Sequence, residues 1–270
     1  MDGPLTRPII DATIPAASKT IRNTIFRNIV FPTIVAFVTV VTSPIWLVQV
    51  VCHWTSTLTL WRKASRPSVK LDSRYHDYDR LAKVLSRQPS LPLFQTSAQF
   101  QTQEGYCAPT TERMILKSIP GFNSNSLSPM KIGPSQPDKV AATIDTLAKA
   151  GGITTRSHVI YGSDGYTPFL SALRKVNNPR YRVSANFLRS PLFGIDKTPQ
   201  LVASLFLSGH FSPIVGFDEA EGVVAVFDVN AEYGLFLVDV ERFYEAVDTW
   251  DVFEGKSRGL VVTEVLEKEL

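Results

Sequence analysis

The hydrophobic pattern opens with an unbroken apolar run. From Asn28 to Trp61 the chain holds no Asp, Glu, Lys or Arg, and the core of the run, residues 29–52, is 24 residues long. About 20 mostly apolar residues cross a bilayer as a helix, so the run predicts a transmembrane helix over 28–54 behind a tail at 1–27. Trp46, Trp54 and Trp61 suit an interfacial aromatic belt, and Pro32 and Pro44 are kinks that membrane helices tolerate. A cleaved signal peptide is disfavoured by the long apolar core and the lack of a small-residue cleavage site. All-round apolarity and basic flanks argue against a buried core helix. Arg7, Lys19, Arg22 and Arg27 suggest a mitochondrial presequence, but Asp2 and Asp11 count against it.

The rhythm then changes. Residues 55–91 turn polar and read as a spacer carrying one short helix at 78–87. From 92 to 266 the pattern is that of one α+β domain. Helical spacing marks 107–119, 138–152 (closed by glycine), 167–176 and 240–248. Apolar strand patterns mark 210–218, 222–229, 235–238 and 258–265, the first two joined by the acidic turn Asp218-Glu219-Ala220-Glu221-Gly222.

Charge and composition narrow the classes. The chain has 270 residues, is 44% hydrophobic and carries a net charge of +3, so no nucleic-acid partner is implied. The loose basic cluster Arg62, Lys63, Arg66 and Lys70 directly follows the apolar run, as a membrane flank does. Residues 1–27 carry four Lys or Arg and residues 55–80 carry six, which predicts a single-pass protein with a cytoplasmic C-terminal domain. Two cysteines cannot build a disulfide framework, and no zinc-type Cys/His spacing occurs, so neither a metal ligand set nor a prosthetic group is assigned.

One of the two cysteines falls where a thiol becomes reactive. Cys107 opens the first turn of the 107–119 helix, and the unpaired N–H groups at a helix start stabilise a thiolate. Pro109, just inside the start, loses no hydrogen bond there. His210 follows a glycine and enters a strand; eighteen residues later Asp228 ends the neighbouring one. Adjacent antiparallel strands can bring the two together, the carboxylate fixing the tautomer and leaving the other ring nitrogen for the thiol. Gln101, six residues ahead of Cys107, is placed to give a side-chain N–H to an oxyanion hole with the Cys107 backbone N–H; Gln99 and Gln103 are rivals. His53, His76 and His158 lack such company.

These pieces, FQTQEGYCAPTTERMILKSI, SGHFSPIVGF, VFDVN and the AVDTWD and SRGLVV segments, resemble the phytochelatin synthases, papain-like cysteine enzymes of glutathione metabolism. The resemblance covers about residues 92–265. It implies a papain-like fold in which the cysteine helix packs on an antiparallel sheet bearing His210 and Asp228. It further implies that Cys107 cleaves glycine from glutathione through a γ-glutamylcysteinyl thioester, passed on to a second glutathione or to water. His210 would be the base and then the acid, Asp228 its orienter and Gln101 the oxyanion donor. Arg189 and Arg258 match family arginines and would pair with substrate carboxylates. Heavy-metal ions such as Cd or Zn would enter as metal–glutathione thiolate substrate or as activator. The chain departs from the family pattern at Ala108-Pro109-Thr110-Thr111, where the family has Gly-Leu-Ala-Ser. It departs again at Asn230-Ala231-Glu232-Tyr233-Gly234, where the family has a basic stretch. A peptidase or amidase acting on another substrate, or an inactive membrane adaptor, are the alternatives.

Overall fold

The computed structural model describes residues 33, 37, 54–72, 78–89, 91–131, 136–194, 209–251 and 255–266. The apolar run expected to cross a membrane lies outside these residues, apart from 33, 37 and 54, as does the tail at 1–27. Among the described residues no helix is long and apolar enough to cross a membrane.

The domain is α+β, as its sequence pattern predicts. Its frame is a six-stranded antiparallel sheet in the order β1-β8-β2-β3-β4-β5. The strands are β1 (Thr154–Tyr161), β2 (Tyr181–Leu188), β3 (Gly209–Asp218), β4 (Val223–Phe227), β5 (Leu235–Asp239) and β8 (Gly259–Leu266). A separate small ladder joins β6 (Trp250–Asp251) to β7 (Lys256–Ser257). Each of β3, β4 and β5 reads as a near-continuous apolar run because all are covered on both faces. β1, at the edge, instead alternates exposed and half-buried positions.

β2 escapes the apolar reading. Arg182, Ser184 and Asn186 interrupt its hydrophobic positions, yet nearly the whole strand is buried. Arg182 is tolerated there because Ser118, at the end of the helix carrying Cys107, takes its Nε through the hydroxyl at 2.7 Å and its Nη2 through the carbonyl at 2.9 Å. Burial pushes that guanidinium down to about 10, still charged at neutral pH.

The helices are α1 (Trp54–Ala64), α2 (Tyr78–Ser86), α3 (Leu91–Phe94), α4 (Cys107–Lys117), α5 (Pro137–Ala150), α6 (Tyr166–Arg174), α7 (Ser190–Phe193) and α8 (Val240–Val247). α4 packs on β3 and against α5, which covers β1 and β8. Within the segment 55–91, expected to be a spacer, Val69, Leu81, Val84 and Leu85 belong to the hydrophobic core. Polar ties reinforce it. Arg66 pairs with Glu245 of α8, and Arg87 with Asp218 at 3.0 Å. Where β3 shifts register between Ile214 and Gly216, the Phe217 N–H donates to the Gln88 side chain at 3.2 Å. The segment reads as polar because its apolar positions recur one face at a time between arginines and serines.

Candidate active site

The site forms where β3 begins and β4 ends. Extending the Ile214–Val226 pairing places Ser212 opposite Asp228, so His210 lies diagonally across from Asp228 on the same sheet face. The two side chains meet: His210 Nε2 is 2.6 Å from Asp228 Oδ1, and both groups are buried. Asp228 Oδ1 also accepts from the Asn230 N–H at 2.7 Å, which holds the carboxylate in place. With Nε2 on the carboxylate, Nδ1 is the ring nitrogen not tied to Asp228. The Phe187 ring packs edge-on at 5.6 Å and restrains the imidazole plane.

Gly209 has a steric reason. A Cβ there would lie 3.2 Å from Arg258 Nε, so a larger residue would push on the arginine beneath the His210 backbone. Arg258 itself is 1% exposed, and its Nη1 donates to the Thr249 hydroxyl and the Trp250 carbonyl. Burial lowers it to about 10, with the Asp251 carboxylate acting in the opposite direction. The group expected to meet substrate carboxylates therefore lies inside the fold, bracing the β6 strand against β8.

The thiol arrives from α4. Gly105, with φ +85°, lets the chain turn tightly, and the Tyr106 N–H closes that turn on the Gln103 carbonyl. No side chain caps the helix that follows. One turn beyond Cys107, the buried Thr111 hydroxyl donates to the Phe211 carbonyl at 3.1 Å, clamping the helix to the residue after His210. Residues four apart share a helix face, so the same clamp aims Cys107 at the imidazole. Cys107 is half-buried, near enough to His210 for the imidazole to act on its thiol. Burial pushes the thiol up, but the charge and hydrogen bond of His210, the Phe211 backbone and Arg189 outweigh it and hold the thiol below its ordinary value. For His210, burial and Arg189 pull down, while Asp228 and Cys107 raise it more, leaving the imidazole above its ordinary value. Asp228 sits below the usual carboxylate range: burial raises it, and the His210 charge and hydrogen bond outweigh that. Such a trio favours thiolate and imidazolium over two neutral groups.

The glutamines separate by position. The backbone N–H of Gln101 donates to the Val229 carbonyl at 2.7 Å, and Phe100 stacks on Phe227 at 5.3 Å, so this loop rides on the strand end carrying Asp228. The Gln101 side-chain oxygen is buried without a protein partner. Gln103 is exposed; Gln99 accepts from Lys117 through its side-chain oxygen at 3.2 Å, while its amide nitrogen is buried with no hydrogen-bond partner among the described residues. Arg189, half-buried at the end of β2, places Nη2 2.7 Å from His210 Nδ1 and lies 4.9 Å above the Tyr233 ring. Among the described residues no group of three His, Cys, Asp or Glu side chains is arranged to hold a metal ion.

The sequence reading gives no site role to Thr111, Tyr233 or Lys70, the last being part of the expected membrane flank. Thr111 was legible as the residue one turn from the thiol. Tyr233 and Lys70 join the site only through the fold, since 163 positions separate them in the chain.

Residues 155–260 match the phytochelatin synthase family. A curated relative, glutathione gamma-glutamylcysteinyltransferase of Schizosaccharomyces pombe, is 37% identical over 57 residues, 21% of this chain and 14% of the relative. The chain thus aligns with only about a seventh of that relative's length. The family resemblance read from the motifs is thereby shown for this segment, which contains Arg189, His210, Asp228 and Arg258. Cys107 and Gln101 lie upstream of it.

Proposed function

We propose, from the premise of that phytochelatin synthase segment, that the chain is a cysteine acyltransferase acting on glutathione. Cys107 thiolate attacks the carbonyl joining cysteine to glycine. The carbonyl oxygen becomes an oxyanion, held by the Cys107 backbone N–H and the Gln101 amide. His210 then delivers a proton to the glycine nitrogen, the C–N bond breaks and glycine leaves. The γ-glutamylcysteinyl thioester remaining on Cys107 passes to the amine of a second glutathione or to water, whose proton returns to His210. Asp228 holds the imidazole in register throughout. A heavy-metal ion such as Cd or Zn takes part as a thiolate of the glutathione substrate.

The observation that carries this reading is the thiol–imidazole–carboxylate line, with its 2.6 Å His210–Asp228 bond and a thiol held below its ordinary value. Incubating the purified protein with glutathione, with and without cadmium, should release glycine and form γ-glutamyl oligomers or γ-glutamylcysteine. Labelling of Cys107 by a thiol probe without either product would move the same chemistry to another amide.

We place the enzyme at a membrane through residues 28–54, with its catalytic domain on the cytoplasmic side. Supporting this, Leu58 and Trp61 are exposed on α1, immediately downstream of the apolar run and next to Arg62 and Lys63. In sealed membranes, added protease should digest the domain only when the cytoplasmic face is open to it.

A further inference from the structure

The loop after Asp228 lacks the basic residues of the family pattern, yet the site is not short of positive charge. Lys70, in the short 3-10 helix Val69–Leu71, reaches this loop from 160 positions upstream. Its ammonium hydrogen-bonds to the Glu232 carbonyl and lies 4.7 Å from the centre of the Tyr233 ring. Arg189 lies 4.9 Å from the centre of the same ring. One aromatic side chain therefore carries two cations, with the Arg189 guanidinium also touching His210.

Two like charges so placed repel, and holding them together has to be offset. Among the described residues neither Lys70 nor Arg189 forms a salt bridge with a carboxylate. Arg189 Nε is buried with no hydrogen-bond partner among the described residues. Asp228 and Glu232 lie within electrostatic range of Lys70; Asp228 Oδ1 is spent on His210 and Asn230, and neither of its oxygens makes an ion pair with Lys70 or Arg189 among the described residues. Burial, opposed by Asp228 and Glu232 and assisted by Arg189, leaves the Lys70 ammonium easier to deprotonate than usual. Two cations gathered at one aromatic ring make a place that favours an anion.

We propose that Lys70 and Arg189, on the Tyr233 platform, form a carboxylate seat that holds the leaving glycine end of the substrate beside Cys107. This rests on the acyltransferase reading given above. In that reaction His210 protonates the glycine nitrogen, and the glycine carboxylate is two bonds from that nitrogen. A cation touching the same imidazole is therefore within reach of that carboxylate. Arg189 supplies planar, two-pronged donation and Lys70 a compact charge. The residue that completes the seat comes from outside the segment matched to the family.

The test compares two alkylating agents on the full chain: iodoacetate, which carries a carboxylate, and iodoacetamide, which does not. Both lose iodide to the Cys107 thiolate, so the ratio of their rates cancels any change in the thiolate itself. Lys70→Gln should lower the iodoacetate-to-iodoacetamide ratio about tenfold, and Lys70→Arg should restore most of it. With the wild-type chain, acetate should slow iodoacetate more than iodoacetamide, a measurement that needs no variant to fold. An unchanged ratio in Lys70→Gln, or acetate slowing both agents equally, overturns the seat. A second arm uses turnover. Lys70→Gln should raise KM for glutathione and leave KM for its glycine amide where it was. If the wild type turns over neither, the acyltransferase reading fails while the alkylation ratio still decides the seat.

Discussion

At the residue scale the decisive property is which partner carries the proton. The proposed mechanism uses thiolate with imidazolium, and both shifts run in that direction: Cys107 lies below its ordinary 9.0 and His210 above its ordinary 6.5. kcat/KM should therefore rise on the acid side as the thiol ionises and fall on the alkaline side as the imidazolium deprotonates, both limbs belonging to the coupled pair. Asp228→Asn removes a charge that raises His210, so the alkaline limb should move to lower pH; an unmoved limb would separate Asp228 from the imidazole. Cys107→Ala should abolish turnover, and His210→Ala should lower it by roughly 10²–10⁴-fold at neutral pH.

Elements explain how those residues meet. α4 is held to β3 by the buried Thr111 hydroxyl on the Phe211 carbonyl, one turn from the thiol. Thr111→Val keeps the side-chain shape and removes that bond. It should cost about 1 kcal/mol of stability and lower kcat more than it raises KM, because the nucleophile is misaimed while the seat for substrate remains. The same helix carries a buried carboxyl, Glu112, which burial pushes up to about 7. Between its ordinary 4.5 and about 7 the folded chain binds the proton that the unfolded chain releases, so stability falls as pH rises through this window. Glu112→Gln removes that loss. Its melting temperature should match the wild type near pH 4 and exceed it at pH 8, where the shift corresponds to about 3 kcal/mol. Much of this scale was legible: α2, α4, α5, α6, α8 and the strands β3, β4, β5 and β8 follow from period and punctuation. β2 was not, because its buried polar residues depend on partners such as Ser118 on a distant helix.

For the whole molecule, the pairing of His210 with Asp228 was readable from two strand motifs eighteen positions apart, since antiparallel neighbours bring such ends together. The placement of Lys70 was not, because nothing local marks a lysine that docks on a tyrosine 163 positions away. Arg258 marks the opposite limit: its motif located it in the chain, but its burial depends on Thr249, Trp250 and Asp251 closing around it. The described residues between 64 and 91 include structural parts of the domain, Val69, Leu81, Val84 and Leu85 among its core. Leu85, fully buried, contributes to the core, and Leu85→Ala should cost about 2–5 kcal/mol, read as a lowered denaturation midpoint with unchanged slope.

The docking of α1 and the turn after it also sets a length of leash. A loose chain over 55–91 would let the domain wander about 30 Å from its point of attachment. Instead Ala64 and Val69 are buried and Arg66 grips α8, so the free play is gone by Ala64. Whatever holds the chain upstream of Trp54 therefore holds the domain on a short, stiff stem. The face turned toward that support becomes a fixed property of the domain rather than an average over a swinging tether.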